Sequence, residues 1–205
     1  LSALVFGVLD RPLPGVPHRF WIYVVIGGIC QILATIALLQ AFKVRDFAFG
    51  TVYAKSEVLL VAGLGALGIE SALSPLGWTG AVLVTVGVVT LASRGAIGSL
   101  LRRAGDPAAL LGLLAGAGFA GAALGIRAAS RSLTAAPAVD RAVATLTALL
   151  VLQTLLNAAW FAASDPSEIV RTARAWRPAL PVGLFSLLGS IGWAWAFTLE
   201  SAAKV

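Results

Sequence analysis

Two side chains of opposite charge, Lys55 and Glu57, lie within a mostly apolar stretch at residues 48-68. An ionisable group at the depth of a bilayer costs about 2.5–3.5 kcal/mol to insert unless it is paired or faces water. The spacing of two residues separates the side chains by about 200° around a helix, so they cannot pair on one face. Each therefore needs another role: Glu57 as a carboxylate that exchanges protons at a central cavity, or Lys55 as a group that binds anions.

A structural role is the alternative for both side chains. If the helix begins late, Lys55 extends to the membrane interface while Glu57 bonds to a neighbouring helix. Tyr53 precedes Glu57 by one helical turn and could line the same surface or pack in the core.

Two further side chains complete the set of candidate substrate-binding or coupling residues. Gln31 lies within an apolar stretch, where an amide needs a hydrogen-bond partner or a wet cavity. Trp193 lies in an aromatic-rich helix, where its ring could stack on a flat substrate, fill space or anchor the helix at the membrane interface. Arg127, which follows a glycine-rich stretch, is expected to extend to lipid headgroups, with anion recognition as the alternative.

The residue types of common enzyme sites are sparse. The single histidine, His18, lies among prolines, and the single cysteine, Cys30, excludes an intrachain disulfide and a thiolate metal cluster. The sequence has no phosphate-binding loop and no metal motif. We therefore expect no enzyme activity, no cofactor and no bound metal.

The composition predicts that lipid surrounds much of the chain. Of its 205 residues, 59% are hydrophobic and only 12% are charged, with a mean hydropathy of +0.94, which exceeds what a soluble domain of this size carries. The apolar stretches are continuous and rich in Leu, Ala and Gly, which indicates helices rather than barrel strands. The expected fold class is all-α, a polytopic transmembrane helix bundle. Six stretches are long enough to cross a bilayer as helices, at 20-42, 48-68, 77-93, 108-127, 142-163 and 179-199.

Charge and small residues indicate what the helices contact. The net charge of +6 comes from basic residues dispersed among the apolar stretches, which favours anionic headgroups over nucleic acid as partners. The pairs Gly112/Gly116 and Gly121/Gly125 are spaced by one helical turn, so they predict close approach of a neighbouring helix.

A weak internal repeat relates two parts of the chain. Residues 28-44 align with residues 189-205, so that Lys43 meets Lys204. Counting the predicted spans from one copy to the other gives repeats of five helices, and an odd number inverts the second copy in the membrane. Inverted repeats place a binding site near the bilayer midplane, an architecture typical of secondary transporters.

Short motifs carry a family resemblance. The segment from 48 to 93 resembles the fourth and fifth helices of EamA-type members of the drug/metabolite transporter superfamily. Leu67-Gly68-Ile69-Glu70 is similar to the family's "LGE" turn, and Gly87-Val88-Val89-Thr90-Leu91 is similar to its "GVVLL"-like run. The stretch GGICQILATIALLQAFKVRDFAFGTVYAKSE resembles a bacterial subgroup with Lys-x-Glu after a helical hairpin.

The resemblance implies a bacterial inner-membrane protein with about ten helices in two inverted five-helix repeats. On this alignment the chain lacks the first helix or two and the last two, so about six or seven helices are expected here. Residues 1-9 are then the end of a further span. The expected organisation is the end of the first repeat at 1-93, an inter-repeat loop at 94-107 and a partial second repeat at 108-205.

These patterns predict a multi-pass secondary active transporter of the bacterial inner membrane. It would export or exchange a small organic metabolite by alternating access, with protons coupled through Glu57. The expected partners are this substrate, the lipid bilayer and protons, without nucleic acid, and a homodimer stays open. A non-transporting scaffold or assembly protein, in which Lys55 and Glu57 hold helices together, is the alternative. The fold does not name the substrate.

Overall fold

The computed structural model describes residues 15–44, 47–66, 74–93, 106–134 and 136–200. All regular structure in these ranges is helical, which confirms the predicted all-α class for this part of the chain. In chain order the described helices are α1 (His18–Val44), α2 (Phe47–Ala54), α3 (Ser56–Ala66), α4 (Pro75–Ser93), α5 (Pro107–Ser132), α6 (Ala138–Ser164), α7 (Ser167–Arg174) and α8 (Trp176–Leu199).

Four of these helices, α1, α5, α6 and α8, are long and apolar enough to cross a membrane. They have 24 to 27 residues each, and their most apolar windows have mean hydropathies between 1.5 and 2.3. These helices contain the predicted spans 20-42, 108-127, 142-163 and 179-199. The length and composition of the four helices indicate a membrane-embedded protein.

The prediction of one continuous helix at 48-68 is wrong, because α2 and α3 are separated by a turn at Lys55. The Lys55 amide is shared between the carbonyls of Thr51, at 3.1 Å, and Val52, at 3.2 Å. The Val58 amide in turn donates to the Lys55 carbonyl at 3.3 Å. Bonds between residues three apart tighten the backbone relative to an α-helix, which accounts for the turn. The predicted span 77-93 lies in α4, which has 19 residues.

The described residues belong to two compact units. The first unit contains the described residues within Leu1–Gly28 and Ile126–Leu199. In this unit α6 packs against α8, and α7 contacts both helices. Two buried clusters form its core: Phe20, Val24, Ala129, Leu133 and Leu149 in one, and Ala142, Leu146 and Ala194 in the other.

The second unit takes the described residues within Ile29–Gly125 and Glu200–Val205, and its core consists mainly of small side chains. Buried alanines join its helices, namely Ala37, Ala54 and Ala115 in one cluster and Ala62 and Ala81 in another. A Cβ atom built on Gly118 would lie 2.8 Å from the Ala34 Cβ, and one on Gly121 would lie 3.1 Å from the Cys30 Sγ. The order of these contacts makes α5 antiparallel to α1. Such small residues allow helix backbones to approach closely.

Several predictions fall outside the described residues. They concern the end of a span at 1-9, the acidic turn at 67-70, most of the inter-repeat loop at 94-107, and the end of the repeat alignment at 201-205.

Candidate functional site

Three consecutive polar residues, Lys55, Ser56 and Glu57, interrupt the apolar sequence where α2 ends and α3 begins. We call this turn the α2–α3 break. Non-helical backbone at membrane depth is tolerated only where protein buries it or where it lines a water-filled cavity. The residues that pack on the α2–α3 break therefore determine whether protein buries it or water can reach it.

The α2–α3 break packs against two glycines of α5, Gly112 and Gly116, which we call the glycine face. A Cβ atom on Gly112 would lie 2.6 Å from the Tyr53 Cβ, and one on Gly116 would lie 2.9 Å from the Ala54 carbonyl oxygen and 3.2 Å from the Glu57 amide nitrogen. The absence of side chains on the glycine face thus lets α5 contact the backbone of the break. The close approach predicted from this glycine pair is confirmed.

The charged side chains at the break do not pair with each other. Lys55 is exposed and Glu57 is half-buried. Within the described residues, neither side chain forms a hydrogen bond or an ion pair. The two side chains were expected not to pair, but the turn at Lys55 removes the continuous helix on which the spacing argument rested.

Ser56 is a residue at the break that the sequence reasoning missed. Its Oγ atom is buried, packs on Gly116 and has no hydrogen-bond partner among the described residues. A buried hydroxyl without a partner is costly, so it is an available donor and acceptor at the break. The signal in the sequence was its position between two charged residues in an apolar stretch.

Tyr53 and Gln31 lie in the same unit as the break. Tyr53 is half-buried in α2, with its Cβ next to Gly112. Gln31 is half-buried in α1, and its backbone carbonyl accepts a hydrogen bond from the Thr35 hydroxyl at 2.8 Å. The break thus brings Tyr53, Lys55 and Glu57 together in sequence and space, whereas Gln31 lies on another helix that packs on α5.

Trp193 lies in α8, in the first unit. Its side chain is 49% exposed, and its ring centroid lies 5.3 Å from that of Phe197, at an interplanar angle of 58°. An exposed tryptophan near the end of an apolar helix is typical of an anchor at the membrane interface. Of the roles considered for Trp193, exposure favours anchoring.

The expectation that Arg127 extends to lipid headgroups is wrong. Its side chain is buried, with 6% exposure, and its guanidinium donates a hydrogen bond to the Phe197 carbonyl at 3.2 Å. Phe197 lies in the last turn of α8, where carbonyls have no donor within the helix. Arg127 therefore caps the end of α8.

A second polar link between α5 and α8 involves two hydroxyl groups. The Thr198 hydroxyl donates to the Ala194 carbonyl at 2.8 Å. Since this uses its one hydrogen atom, the Ser130 hydroxyl is the donor in the 2.5 Å contact between Ser130 and Thr198. The signal in the sequence was a serine one helical turn after Arg127, a spacing that places both on one face.

The α2–α3 break combines groups with distinct chemistry. The Glu57 carboxylate can bind and release a proton, the Lys55 ammonium can attract an anion, and the Ser56 hydroxyl can bond to either kind of group. Among the described residues, no three His, Cys, Asp or Glu side chains come together in a way that could hold a metal ion.

Comparison of the chain with protein-family models, with curated proteins and with solved structures finds no match.

Proposed function

We propose that this chain belongs to a secondary active transporter that moves a small organic metabolite across the bacterial inner membrane by alternating access. The observation that supports this most is the α2–α3 break, which presents a half-buried carboxylate beside the glycine face of α5. Secondary transporters build substrate and ion sites from such discontinuous helices, because a broken helix offers polar groups at membrane depth.

In this proposal Glu57 couples protons to transport. Its carboxylate is half-buried and forms no ion pair with a described residue, so protonation breaks no existing salt bridge. A carboxylate within a membrane is costly when charged and much less costly when protonated. Proton binding at Glu57 therefore changes the free-energy difference between a state in which protein buries the α2–α3 break and a state in which water reaches it.

In this proposal Lys55 and Tyr53 determine which substrates the transporter binds. Lys55 is exposed directly after the end of α2, where its ammonium can attract an anionic group. Tyr53 precedes it by two residues, and its Cβ lies against Gly112 of α5. A small organic anion with an apolar portion fits these two side chains.

The resemblance to EamA-type transporters supports the same function. We propose that the protein is built from two inverted repeats of five helices, the arrangement that this resemblance implies. The four long apolar helices are consistent with a multi-pass position in the inner membrane.

The test compares bacterial cells that express the full-length protein in its wild-type form or with Glu57→Gln, at matched levels in the membrane. Glu168→Gln is the control, because it removes a carboxylate that pairs with Arg171 on the protein surface, at 2.7 Å. We expect one or more metabolites to accumulate in the medium with wild type and with the control, and to accumulate much less with Glu57→Gln. Equal metabolite profiles for all three proteins and for cells without them would contradict the proposal.

A non-transporting scaffold is the second candidate function, and the exposed side chains of α8 favour it. Val182, Phe185 and Leu188 are 71%, 76% and 64% exposed, so a partner helix or a second copy of this chain could cover them. A scaffold predicts that Glu57→Gln lowers the stability of the protein without altering any metabolite. The transporter proposal predicts loss of flux from a protein that remains folded.

A further inference from the structure

The short helix α7 connects two of the long apolar helices, α6 and α8. It has eight residues, none of them buried. Because α6 and α8 are each long enough to cross a bilayer, the helix that joins them lies at the level of one membrane surface. Its side chains therefore face the boundary between lipid and water.

The two faces of α7 differ in polarity. At about 100° per residue, Ile169, Val170 and Ala173 share one side of the helix, and Glu168 and Arg171 lie on the opposite side. Ile169 and Val170 are 41% and 50% exposed, and Trp176, just beyond the helix, is 57% exposed. Among the described residues, none covers this apolar side.

The cations around α7 are of two kinds. Arg171 is already compensated, since it pairs with Asp165 at 3.1 Å and with Glu168 at 2.7 Å. Arg174 and Arg177 are exposed and form no ion pair within the described residues. The Arg177 guanidinium lies 5.5 Å from the centroid of the Trp176 ring, which holds this cation beside an aromatic group typical of the membrane interface.

We propose that α7 is an interfacial helix that binds anionic phospholipids, with Ile169, Val170 and Ala173 facing the acyl chains and with Arg174 and Arg177 contacting the headgroups. An amphipathic helix with an exposed apolar side and adjacent cations binds at this boundary. Two uncompensated arginines match the negative charge of anionic headgroups. This inference does not depend on the transport proposal.

The first experiment measures which side of α7 faces lipid. The chain has a single cysteine, Cys30, so a Cys30→Ala background permits single spin labels at Ile169→Cys, Ala173→Cys, Glu168→Cys and Arg171→Cys. The full-length protein is reconstituted in vesicles of phosphatidylcholine and phosphatidylglycerol, and the labels are exposed to oxygen, which concentrates in lipid, or to a water-soluble nickel chelate. We expect oxygen to dominate at 169 and 173 and nickel to dominate at 168 and 171. Equal values at all four positions would overturn the proposed orientation.

The second experiment measures the preference for anionic lipid. Energy transfer from the protein's tryptophans to headgroup-labelled phosphatidylglycerol or phosphatidylcholine is compared for wild type and for the double variant Arg174→Gln, Arg177→Gln. Each lost cation is expected to weaken binding of the anionic lipid roughly fivefold. Arg131→Gln is the control, because this exposed arginine precedes α6 and lies near its other end.

A salt series on the wild-type protein tests the same proposal without any substitution. Preference for phosphatidylglycerol that falls as salt rises supports headgroup binding by cations. Equal binding of both lipids, or a preference that salt leaves unchanged, would overturn it, as would a control that weakens binding as much as the double variant.

Discussion

The guanidinium of Arg127 donates a hydrogen bond to the carbonyl of Phe197, joining the later part of α5 to the last turn of α8. Both side chains are buried. The bond satisfies a carbonyl that the helix itself leaves without a donor, so this buried position in the last turn of α8 holds no uncompensated polar group.

Substitution of Arg127 tests this capping role. Arg127→Met keeps a long stem but removes the donor, and the buried carbonyl then loses this hydrogen bond. We expect the free energy of unfolding to fall by about 1–3 kcal/mol. Thermal unfolding in detergent measures this, with Arg131→Met as the control at an exposed position one turn later. Equal stability of the two variants would contradict a capping role.

The hydroxyl pair of Ser130 and Thr198 should contribute less. A double-mutant cycle with Ser130→Ala and Thr198→Val isolates the energy of the pair from the hydrogen bond that Thr198 makes to its own helix. Interhelical hydrogen bonds in membrane proteins average about 0.6 kcal/mol, and we expect a coupling of this order. Additive effects of the two substitutions would mean that the contact contributes nothing.

The contact of α5 with the α2–α3 break predicts that Gly116 does not accept a side chain. In Gly116→Ala the new Cβ would approach the Ala54 carbonyl to 2.9 Å, so backbone must move. Overpacking of this kind costs about 1–3 kcal/mol. We expect a lower unfolding free energy together with reduced metabolite release in the cell assay.

A matched glycine in α3 provides the control for that substitution. A Cβ on Gly63 would have no atom within 4 Å. Alanine is favoured over glycine within a helix by about 0.5–1 kcal/mol, so Gly63→Ala should stabilise the protein slightly. Opposite signs for the two substitutions would support the contact, whereas destabilisation of similar size would argue against it.

Lys55 offers a prediction that separates stability from transport. The side chain is exposed and forms no ion pair within the described residues, so Lys55→Gln should change the unfolding free energy by less than about 0.5 kcal/mol. If Lys55 attracts an anionic substrate, release of anionic metabolites should fall while release of neutral ones is unchanged. Lys43→Gln, at the exposed end of α1, serves as the control for loss of a positive charge.

The sequence predicted the long helices well because a bilayer demands about twenty apolar residues for each crossing. It did not predict the end of α2 at Ala54, since hydropathy averaged over a window cannot register a single shared amide such as that of Lys55. Three polar residues in succession were the local sign of this turn. The charges of Lys55 and Glu57 were interpreted as candidate functional groups, and the interruption of the helix at these residues was not predicted.

The candidate site was likewise predicted only in part from the sequence. The spacing of Gly112 and Gly116 correctly indicated a close contact, whereas the spacing of Lys55 and Glu57 was interpreted on a continuous helix that the turn at Lys55 interrupts. Whether a polar side chain at the end of a span turns outward or inward depends on the neighbouring helix. Arg127 turns inward because the last turn of α8 offers it a carbonyl, and no pattern within α5 specifies that partner.

The glycine face also limits how this chain can change during evolution. Positions 112 and 116 lie against backbone atoms, whereas Cβ atoms on Gly63, Gly80 and Gly87 would meet nothing within 4 Å. Descendants that keep the α2–α3 break should therefore retain glycine at the first two positions while the other three drift to alanine, serine or larger residues. All five glycines lie in apolar helical sequence. A homologue that keeps glycine at positions 112 and 116 but replaces it at the other three could therefore be identified as a distant relative even when its overall sequence similarity is low.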